Sequence, residues 1–362
     1  MPQEKPDYSL SGLFELRTIA KLAGIGAVAA LFAGAFAWTG GWFSPASLNQ
    51  ARMIDGFQVV NGLHPGFRRN HAKGVCLSGW FDSNGNGARL SRARLFAPGR
   101  TPVFGRFALA GGMPRSADKP ATVRSMALNF ALADGEVWRT GMNDIPVFPV
   151  RDPQAFYDQM FAARVDPATG KPNPAAVKTF LAAHPESAAA GALIKAEPMS
   201  SGFANARYNS LNAFRFIAAD GTSTSVRWSM VPVDSFAPAP AEGETDPNYL
   251  FSNLSSRLEK GPVLWHLVIT VGQAEDPTND ATVPWPKERE RIEVGTLTVT
   301  ALQTEADGNC RDVNFDPLVL PSGIAASDDP LLSARSAAYS VSFTRRAREA
   351  KSPSAVQIGK GA

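Results

Sequence analysis

The stretch FRRNHAKGVCLSGWF (residues 67–81) decides how this chain is interpreted. It places His71, one of only four histidines in 362 residues, between an arginine pair and an apolar run. A histidine next to a strand can be a core residue, a metal ligand or an acid–base catalyst. Motifs elsewhere in the chain have to distinguish between these three roles.

Composition limits the classes of function. The chain is 44% hydrophobic and 19% charged, which is enough apolar material for a large core in one or two domains. Its net charge is +3 and the basic residues are dispersed, so we expect no nucleic-acid partner. The two cysteines, Cys76 and Cys310, are too few for a four-ligand zinc site or a CxxCH haem attachment. The sequence leaves open whether they form a disulfide or remain buried thiols.

The amino terminus carries a segment of membrane character. Residues 22–43 contain no charge, and Arg17 and Lys21 precede them. About 20 apolar residues span a bilayer, and flanking basic residues stay on its cytoplasmic side. We therefore expect a cytoplasmic tail over residues 1–21 and an inner-membrane anchor over 22–43. The small residues of AGAFA (33–37) equally allow a cleaved signal. Either outcome places the rest of the chain in the periplasm, anchored or released.

The remainder of the chain reads mainly as strands. Residues 153–196 have helical periodicity and form an expected helical insertion. The pattern predicts an α+β fold in which about eight strands form a barrel or a sandwich. The stretches with strand character are 104–112, 125–141 (a hairpin around the turn ADGE), 212–231 (a second hairpin), 262–271 and 291–302.

The last regular element is predicted to be a helix. Asp329 suits the N-cap and Pro330 the first helical position. The following LLSARSAAY places Arg335 and Tyr339 four residues apart, hence on one face.

Four motifs stand in order along the chain: RRNHAKG (68–74), RFALAGGMPRSAD (106–118), GMNDIPVFPVRDPQAF (141–156) and FDPLVLPSGIAASDDPLLSARSAAY (315–339). They resemble, in turn, the RxxHAKG, RFSTVxGExGSAD and GNNTPxFFxRDPxxF motifs of the haem catalases, and their proximal segment ending in RxxxY. Within that superfamily the chain resembles the short catalase-related peroxidases. The expected catalase-like haem domain covers residues 56–350, with a linker over 44–55 and a flexible tail over 351–362.

The resemblance implies an antiparallel β-barrel core, a helical insertion and a C-terminal helix that carries the iron ligand. By resemblance, Tyr339 binds the iron of haem b and Arg335 stabilises its phenolate. His71 would move a proton between the two oxygens of the peroxide, and Asn143 would orient the peroxide by a hydrogen bond.

The same resemblance assigns the haem contacts. Arg68, Arg106 and Arg346 match positions that bind the haem propionates, for which a planar guanidinium is suited. Phe148 and Phe156 match positions that pack near the ring.

The sequence also departs from the family at several positions. Ala108 stands where large catalases have a serine that hydrogen-bonds the distal histidine, so that contact is not expected here. Asn70 replaces an apolar residue, and Phe343 replaces a histidine one helical turn after Tyr339. The carboxy-terminal regions of large catalases are not expected, so no NADPH is expected and the haem should be open to bulky organic peroxides.

The expected function is a haem peroxidase, with some catalase activity, that reduces hydrogen peroxide or organic peroxides with a small-molecule electron donor. Two alternatives use the same barrel: a non-catalytic haem carrier, and an enzyme that rearranges fatty-acid hydroperoxides. A carrier would need only Tyr339 and the arginines, so the His71–Asn143 pair favours catalysis. A homo-oligomer is compatible with each alternative.

Overall fold

The structure, a computed structural model, describes residues 16–39, 47–242 and 244–358. The chain divides into two compact units, one ending at Asn49 and one beginning at Gln50. The regular helices are α1 (Leu16–Thr39), α2 (Gln50–Asn61), α3 (Pro153–Ala162), α4 (Pro174–Ala183), α5 (Pro185–Ala196), α6 (Tyr249–Glu259) and α7 (Pro330–Ala347). The strands are β1 (Gly74–Ser83), β2 (Gly99–Leu109), β3 (Arg124–Ala131), β4 (Val137–Asn143), β5 (Val165–Asp166), β6 (Lys171–Pro172), β7 (Tyr208–Asn209), β8 (Phe214–Ile217), β9 (Ser223–Pro232), β10 (Val263–Val271), β11 (Arg291–Gln303) and β12 (Ile324–Ala326).

The first unit contains α1, which is a candidate membrane span over Thr18–Thr39 with a mean hydropathy of 1.9. Its large apolar side chains, such as Leu31 and Phe36, are exposed. This helix is long and apolar enough to cross a bilayer, and a signal sequence near an amino terminus has the same character. Most of the expected cytoplasmic tail, and residues 40–43 of the expected anchor, lie outside the described residues.

The second unit is built on a closed antiparallel barrel. Among the described residues, eight strands pair in the order β10-β11-β1-β2-β3-β4-β7-β9, and β9 pairs back with β10 to close the ring. Short strands β8 and β12 extend from β9 as a side ladder. The predicted hairpins correspond to β3–β4 and β8–β9, whose turns carry the residues expected there. The predicted α+β class with an antiparallel barrel is confirmed.

Side chains alternate between the two faces of each strand, and those on one face fill the barrel. Each barrel strand supplies large apolar side chains to a single core: Leu77, Phe107, Met126, Trp138, Tyr208, Trp228, Trp265 and Leu297. The rings of Trp138 and Trp228 meet edge to face with centroids 5.1 Å apart. Because side chains alternate, the other face of β2 to β4 is free to line a site.

Two helical regions flank the barrel as predicted. Asp152 caps α3, and its Oδ1 accepts a hydrogen bond from Ala155 N at 2.8 Å. Two-residue strands β5 and β6 interrupt the insertion at its Pro- and Gly-rich stretch, before α4 and α5. Asp329 caps α7, with its Oδ1 accepting from Leu331 N at 2.9 Å.

Two expected boundaries differ from the structure. Residues 50–55 of the expected linker belong to α2, because Met53 and Ile54 bury their side chains in the second unit. Within the segment expected to be a flexible tail, Val356 is buried in the barrel core and Ser352 Oγ donates to Pro65 O at 2.8 Å. Residues 359–362 of that tail lie outside the described part of the chain. Apolar anchoring by single residues has no periodicity, so neither contact was visible in the sequence.

Cys76 and Cys310 form a disulfide, with Cα atoms 5.3 Å apart. The bond joins β1 to the loop after β11, so it links segments 234 residues apart. Of the two alternatives left open by the sequence, the structure has the disulfide.

Candidate functional site

One cavity lies between the outer face of β2–β4, the segment before β1, and helices α2, α3 and α7. Every residue predicted for the site lines this cavity: Arg68, His71, Arg106, Asn143, Phe148, Phe156, Arg335, Tyr339 and Arg346. The structure therefore brings together residues that are up to 278 positions apart, from Arg68 to Arg346. Their individual roles stay predictions.

His71 sits on a strained backbone that its neighbour holds in place. Its φ is +52°, in the left-handed region that non-glycine residues avoid, at a cost of about 1–3 kcal/mol. The Asn70 side chain offsets this cost, since its Oδ1 accepts from His71 N and from Gly111 N, each at 2.9 Å. Asn70, a departure from the family, thus fixes the position of the histidine.

The His71 imidazole is neutral. Burial lowers its pKa to about 3, and the positive charges of Arg106, Arg335 and Arg68 act in the same direction. A hydrogen bond with the Leu109 backbone opposes them weakly. A neutral imidazole has one nitrogen free to accept a proton, which a general base requires.

The His71 ring is held by a serine that sequence reasoning missed. Ser125 Oγ lies 3.0 Å from His71 Nδ1, and the same hydroxyl donates to Asn143 Oδ1. In the sheet, Ser125 pairs with Ala108 on one side and with Asn143 on the other. A hydroxyl absent at position 108 is therefore supplied from the next strand. The register of the predicted β3–β4 hairpin contained this signal, because it places residues 125 and 143 opposite each other.

Tyr339 and Arg335 share the face of α7 that meets β4. A Cβ built on Gly141 would lie 3.5 Å from Arg335 Nη2 and 3.9 Å from the Tyr339 hydroxyl, so both side chains reach the same point of the strand. Arg335 donates to Asn212 Oδ1, and Asn212 Nδ2 donates to Asp329 Oδ2 at 2.8 Å. The helix cap thus also orients Arg335.

The three predicted propionate arginines converge on a buried glutamate. Arg106 Nε donates to Glu305 Oε1 at 2.7 Å, and Arg68 Nε lies 3.9 Å from the same oxygen. Burial alone would raise the pKa of Glu305, but Arg106 and Arg68 outweigh it and the net shift is downward. Arg346 also lowers it. Three guanidinium groups and one carboxylate leave positive charge in excess.

Arg68 is the least satisfied of these cations. Its Nη2 donates to the backbone carbonyls of Cys310 at 2.9 Å and Val313 at 3.1 Å. Its Nε is buried and has no hydrogen-bond partner in the described part of the chain. Burial, the largest cause, and the positive charges of Arg106 and Arg346 together lower its pKa to about 9. Such a group is ready to bind an additional anion.

Aromatic rings form an apolar wall of the cavity. Phe148 and Phe156 stack with ring centroids 5.8 Å apart, and Phe57 of α2 packs against Phe156 at 5.8 Å. Met53 and Ile54 of α2 extend this wall. Helix α2 is therefore part of the site, which no motif in the sequence indicated.

The chain resembles known proteins along most of its length. The family model described as Catalase matches residues 39–357. The catalase-related peroxidase of Synechococcus elongatus is 36% identical over 308 residues, which cover 84% of this chain and 91% of that protein. The protein of the same name from Mycolicibacterium paratuberculosis is 32% identical over 303 residues, covering 83% and 95%.

Solved structures agree on the fold. A fungal catalase superposes with a TM-score of 0.71 at 20% identity, over 83% of this chain and 63% of that one. A bacterial catalase gives 0.69 at 23% identity, over 83% and 61%. This chain therefore spans less than two thirds of either solved catalase. With the family model matching most of its length and the two peroxidase relatives above 30% identity, the chain belongs to the catalase family, as its motifs predict.

Proposed function

We propose that this chain is a haem-dependent peroxidase that reduces hydrogen peroxide or organic peroxides with a small-molecule electron donor, and retains some catalase activity. The coarser statement, an oxidoreductase acting on peroxide, is supported by relatives named catalase-related peroxidase, of which this chain covers 91% and 95%. The single observation that carries the finer proposal is the placement of His71, Asn143, Arg335 and Tyr339 in one cavity.

The residues of the cavity fit a haem. No group of three or more His, Cys, Asp or Glu side chains able to hold a bare metal ion occurs in the described residues. The cavity instead offers one tyrosine hydroxyl beside an arginine, which suits an iron with a single protein ligand. The excess positive charge around Arg68, with its unpaired Nε, suits the two carboxylates of haem b. Bound haem would supply the redox chemistry of O–O cleavage.

The side chains have separate tasks in this proposal. Tyr339 would be the iron ligand, and the Arg335 guanidinium would favour its ionised form. The neutral imidazole of His71 accepts the proton of the bound peroxide and returns it to the departing oxygen. The Asn143 amide donates a hydrogen bond that orients the peroxide, while the wall of Phe148 and Phe156 limits the access of water.

The linked side chains of His71, Ser125 and Asn143 argue against a haem carrier. A carrier needs the ligand and the arginines, but it has no use for a neutral histidine joined through a serine to an asparagine. A hydroperoxide-rearranging enzyme would use the same residues, so only product analysis distinguishes it from a peroxidase.

The amino terminus supports a location outside the cytoplasm. Helix α1 has the length and composition of an anchor or a signal, and Lys21 is the last charge before its apolar run. We propose that the second unit is periplasmic, either anchored to the inner membrane or released.

The function is tested with the purified full chain loaded with haem, supplied with hydrogen peroxide or cumene hydroperoxide and a reducing donor. We expect turnover of both peroxides, and a loss of ~10²- to 10⁴-fold in kcat/KM for His71→Gln. His184→Gln is the matched control, because His184 stacks on Phe180 away from the cavity. Equal turnover by His71→Gln and the wild type would contradict the proposal.

A further inference from the structure

Ser125 is the only described residue that hydrogen-bonds the side chains of both His71 and Asn143. It stands in the middle of a row across three strands, with Ala108 on β2 and Asn143 on β4 as its direct partners. Ala108 has no polar atom in its side chain, so it cannot share this task. The Ser125 hydroxyl therefore lies between the His71 imidazole and the Asn143 amide.

The direction of the hydrogen bonds follows from the atoms involved. Asn143 Oδ1 can only accept, so the Ser125 hydroxyl proton is directed to it. Ser125 Oγ must then accept from His71, which requires a hydrogen on Nδ1. A neutral imidazole carries one hydrogen, so Nε2 is the nitrogen with the free lone pair. With Oδ1 engaged, the Asn143 NH₂ group keeps its two donors for another partner.

We propose that Ser125 is the positioning residue of the peroxide site. It fixes His71 in the tautomer whose Nε2 can accept a proton, and it fixes Asn143 with its amide N–H groups available to the peroxide. This inference rests on the proposed function, because it assigns Ser125 a part in the same reaction. One hydroxyl thereby sets the base and the hydrogen-bond donor together.

Different residues hold the main chain and the ring of His71. Asn70 holds the main chain of His71, because its Oδ1 accepts a hydrogen bond from His71 N at 2.9 Å. The imidazole itself is oriented by Ser125 and by the Leu109 backbone. Removing the Ser125 hydroxyl should therefore leave the main chain of the histidine in place, leave its ring with the Leu109 contact alone, and release the Asn143 amide.

The test uses the full chain loaded with haem, in the wild type and in three variants. Ser125→Ala removes both hydrogen bonds, and Ser125→Thr keeps a hydroxyl at the same place. Ser91→Ala is the matched control, since it removes another buried serine hydroxyl, which donates to Gly323 O at 2.8 Å outside the cavity. Each protein is assayed for kcat and KM with hydrogen peroxide. Each is also titrated with cyanide in the ferric state, followed by the Soret band.

Cyanide reports on the site without turnover. Hydrogen cyanide gives up its proton on binding to ferric haem, so its affinity depends on a nearby base and hydrogen-bond donor. For Ser125→Ala we expect kcat to fall by ~10- to 100-fold with little change in KM, the range seen when the partner that orients a histidine is lost. Cyanide affinity should fall by ~10-fold. Ser125→Thr should restore both, and Ser91→Ala should change neither.

The outcomes separate the two proposals. A Ser125→Ala protein with wild-type cyanide affinity and wild-type kcat would overturn the role of Ser125 and leave the proposed function intact. A wild type that binds haem but turns over no peroxide would overturn the proposed function. In that case the cyanide titration still decides: a weakened Ser125→Ala protein supports the positioning role, and an unchanged one contradicts it.

Discussion

At the scale of single residues, the neutral state of His71 follows from the burial of its ring and from the charges around it. Burial, and after it the cations Arg106, Arg335 and Arg68, favour the neutral form and lower the pKa to about 3. A histidine in water would be half charged near pH ~6.5. The proposed base therefore stays neutral over a wider range of pH than a free imidazole does.

This gives a prediction for the pH dependence of catalysis. Because the folded pKa of His71 is lowered, its neutral form persists as the pH falls below 6.5 and is lost only near pH 3. We expect kcat/KM for peroxide to show no titration step near pH 6.5 in steady-state assays from pH 8 to pH 5. A decrease centred near pH 6.5 that disappears in a His71→Gln background would contradict the neutral, buried imidazole.

At the scale of elements, helix α7 links its own cap to the site. Asp329 caps the helix through Leu331 N, and its second oxygen holds Asn212, which in turn accepts from Arg335. One carboxylate thus stabilises the helix and orients a side chain of the site. Loss of an N-cap costs ~1 kcal/mol, whatever the helix carries.

We therefore predict two separable effects for Asp329→Ala. The free energy of unfolding in urea should fall by ~1–2 kcal/mol, and the Soret maximum should shift because Arg335 loses its support. Asn173→Ala is the control, since Asn173 caps α4 by accepting from Ala175 N at 2.9 Å and does not line the cavity. Asn173→Ala should lose stability with an unchanged spectrum. The same spectrum in both variants would show that the cap does not reach the site.

The disulfide is a second link between an element and the site. Cys310 begins the loop whose carbonyls accept from Arg68 and Arg346, and Cys76 pairs in the sheet with Arg106. The disulfide thus joins the segments that support Arg68, Arg106 and Arg346. If this loop became mobile, haem binding would have to order it again, and the loss of conformational entropy would weaken the binding.

We predict that the double variant Cys76→Ser, Cys310→Ser binds haem at least ~10-fold more weakly, as measured by haem titration of the haem-free protein. The α4 cap variant Asn173→Ala keeps the disulfide and the segments that support Arg68, Arg106 and Arg346, so it should bind haem as the wild type does. Unchanged affinity in the cysteine variant would mean that the 310–313 loop holds the arginines without the disulfide.

At the scale of the whole molecule, the sequence predicted what local signals and ordered motifs can encode. The hairpins, the capped α7 and the barrel class each depend on period, turn residues or motif order, and the structure has all of them. Ser125 was missed although the register of the β3–β4 hairpin places it opposite Asn143, because no motif marks it. Glu305 was missed because it contacts Arg106 from a segment that is distant in the sequence. Helix α2 begins inside the segment expected to be a linker, and Val356 is buried within the segment expected to be a tail, and no local pattern in the sequence shows either contact.

The division into two units predicts how the chain partitions. A chain with α1 should sediment with membranes and resist extraction at alkaline pH, whereas one that begins at residue 47 should stay in the supernatant and keep its haem-dependent activity. Fractionation followed by amino-terminal sequencing checks this. If the protein is expressed from the full-length sequence but is recovered in the supernatant without its first residues, α1 is a cleaved signal and not an anchor.

An absorption spectrum shows whether Tyr339 holds a haem that reacts with peroxide. The full chain, purified with haem available, is recorded before and after one equivalent of hydrogen peroxide, beside Tyr339→Phe and the control Tyr157→Phe, whose ring packs on Phe161 outside the cavity. We expect a Soret band that changes with peroxide and returns in the wild type and in Tyr157→Phe, and an altered or missing band in Tyr339→Phe. A folded wild type without a Soret band, or a Tyr339→Phe protein with the wild-type spectrum, would contradict this expectation.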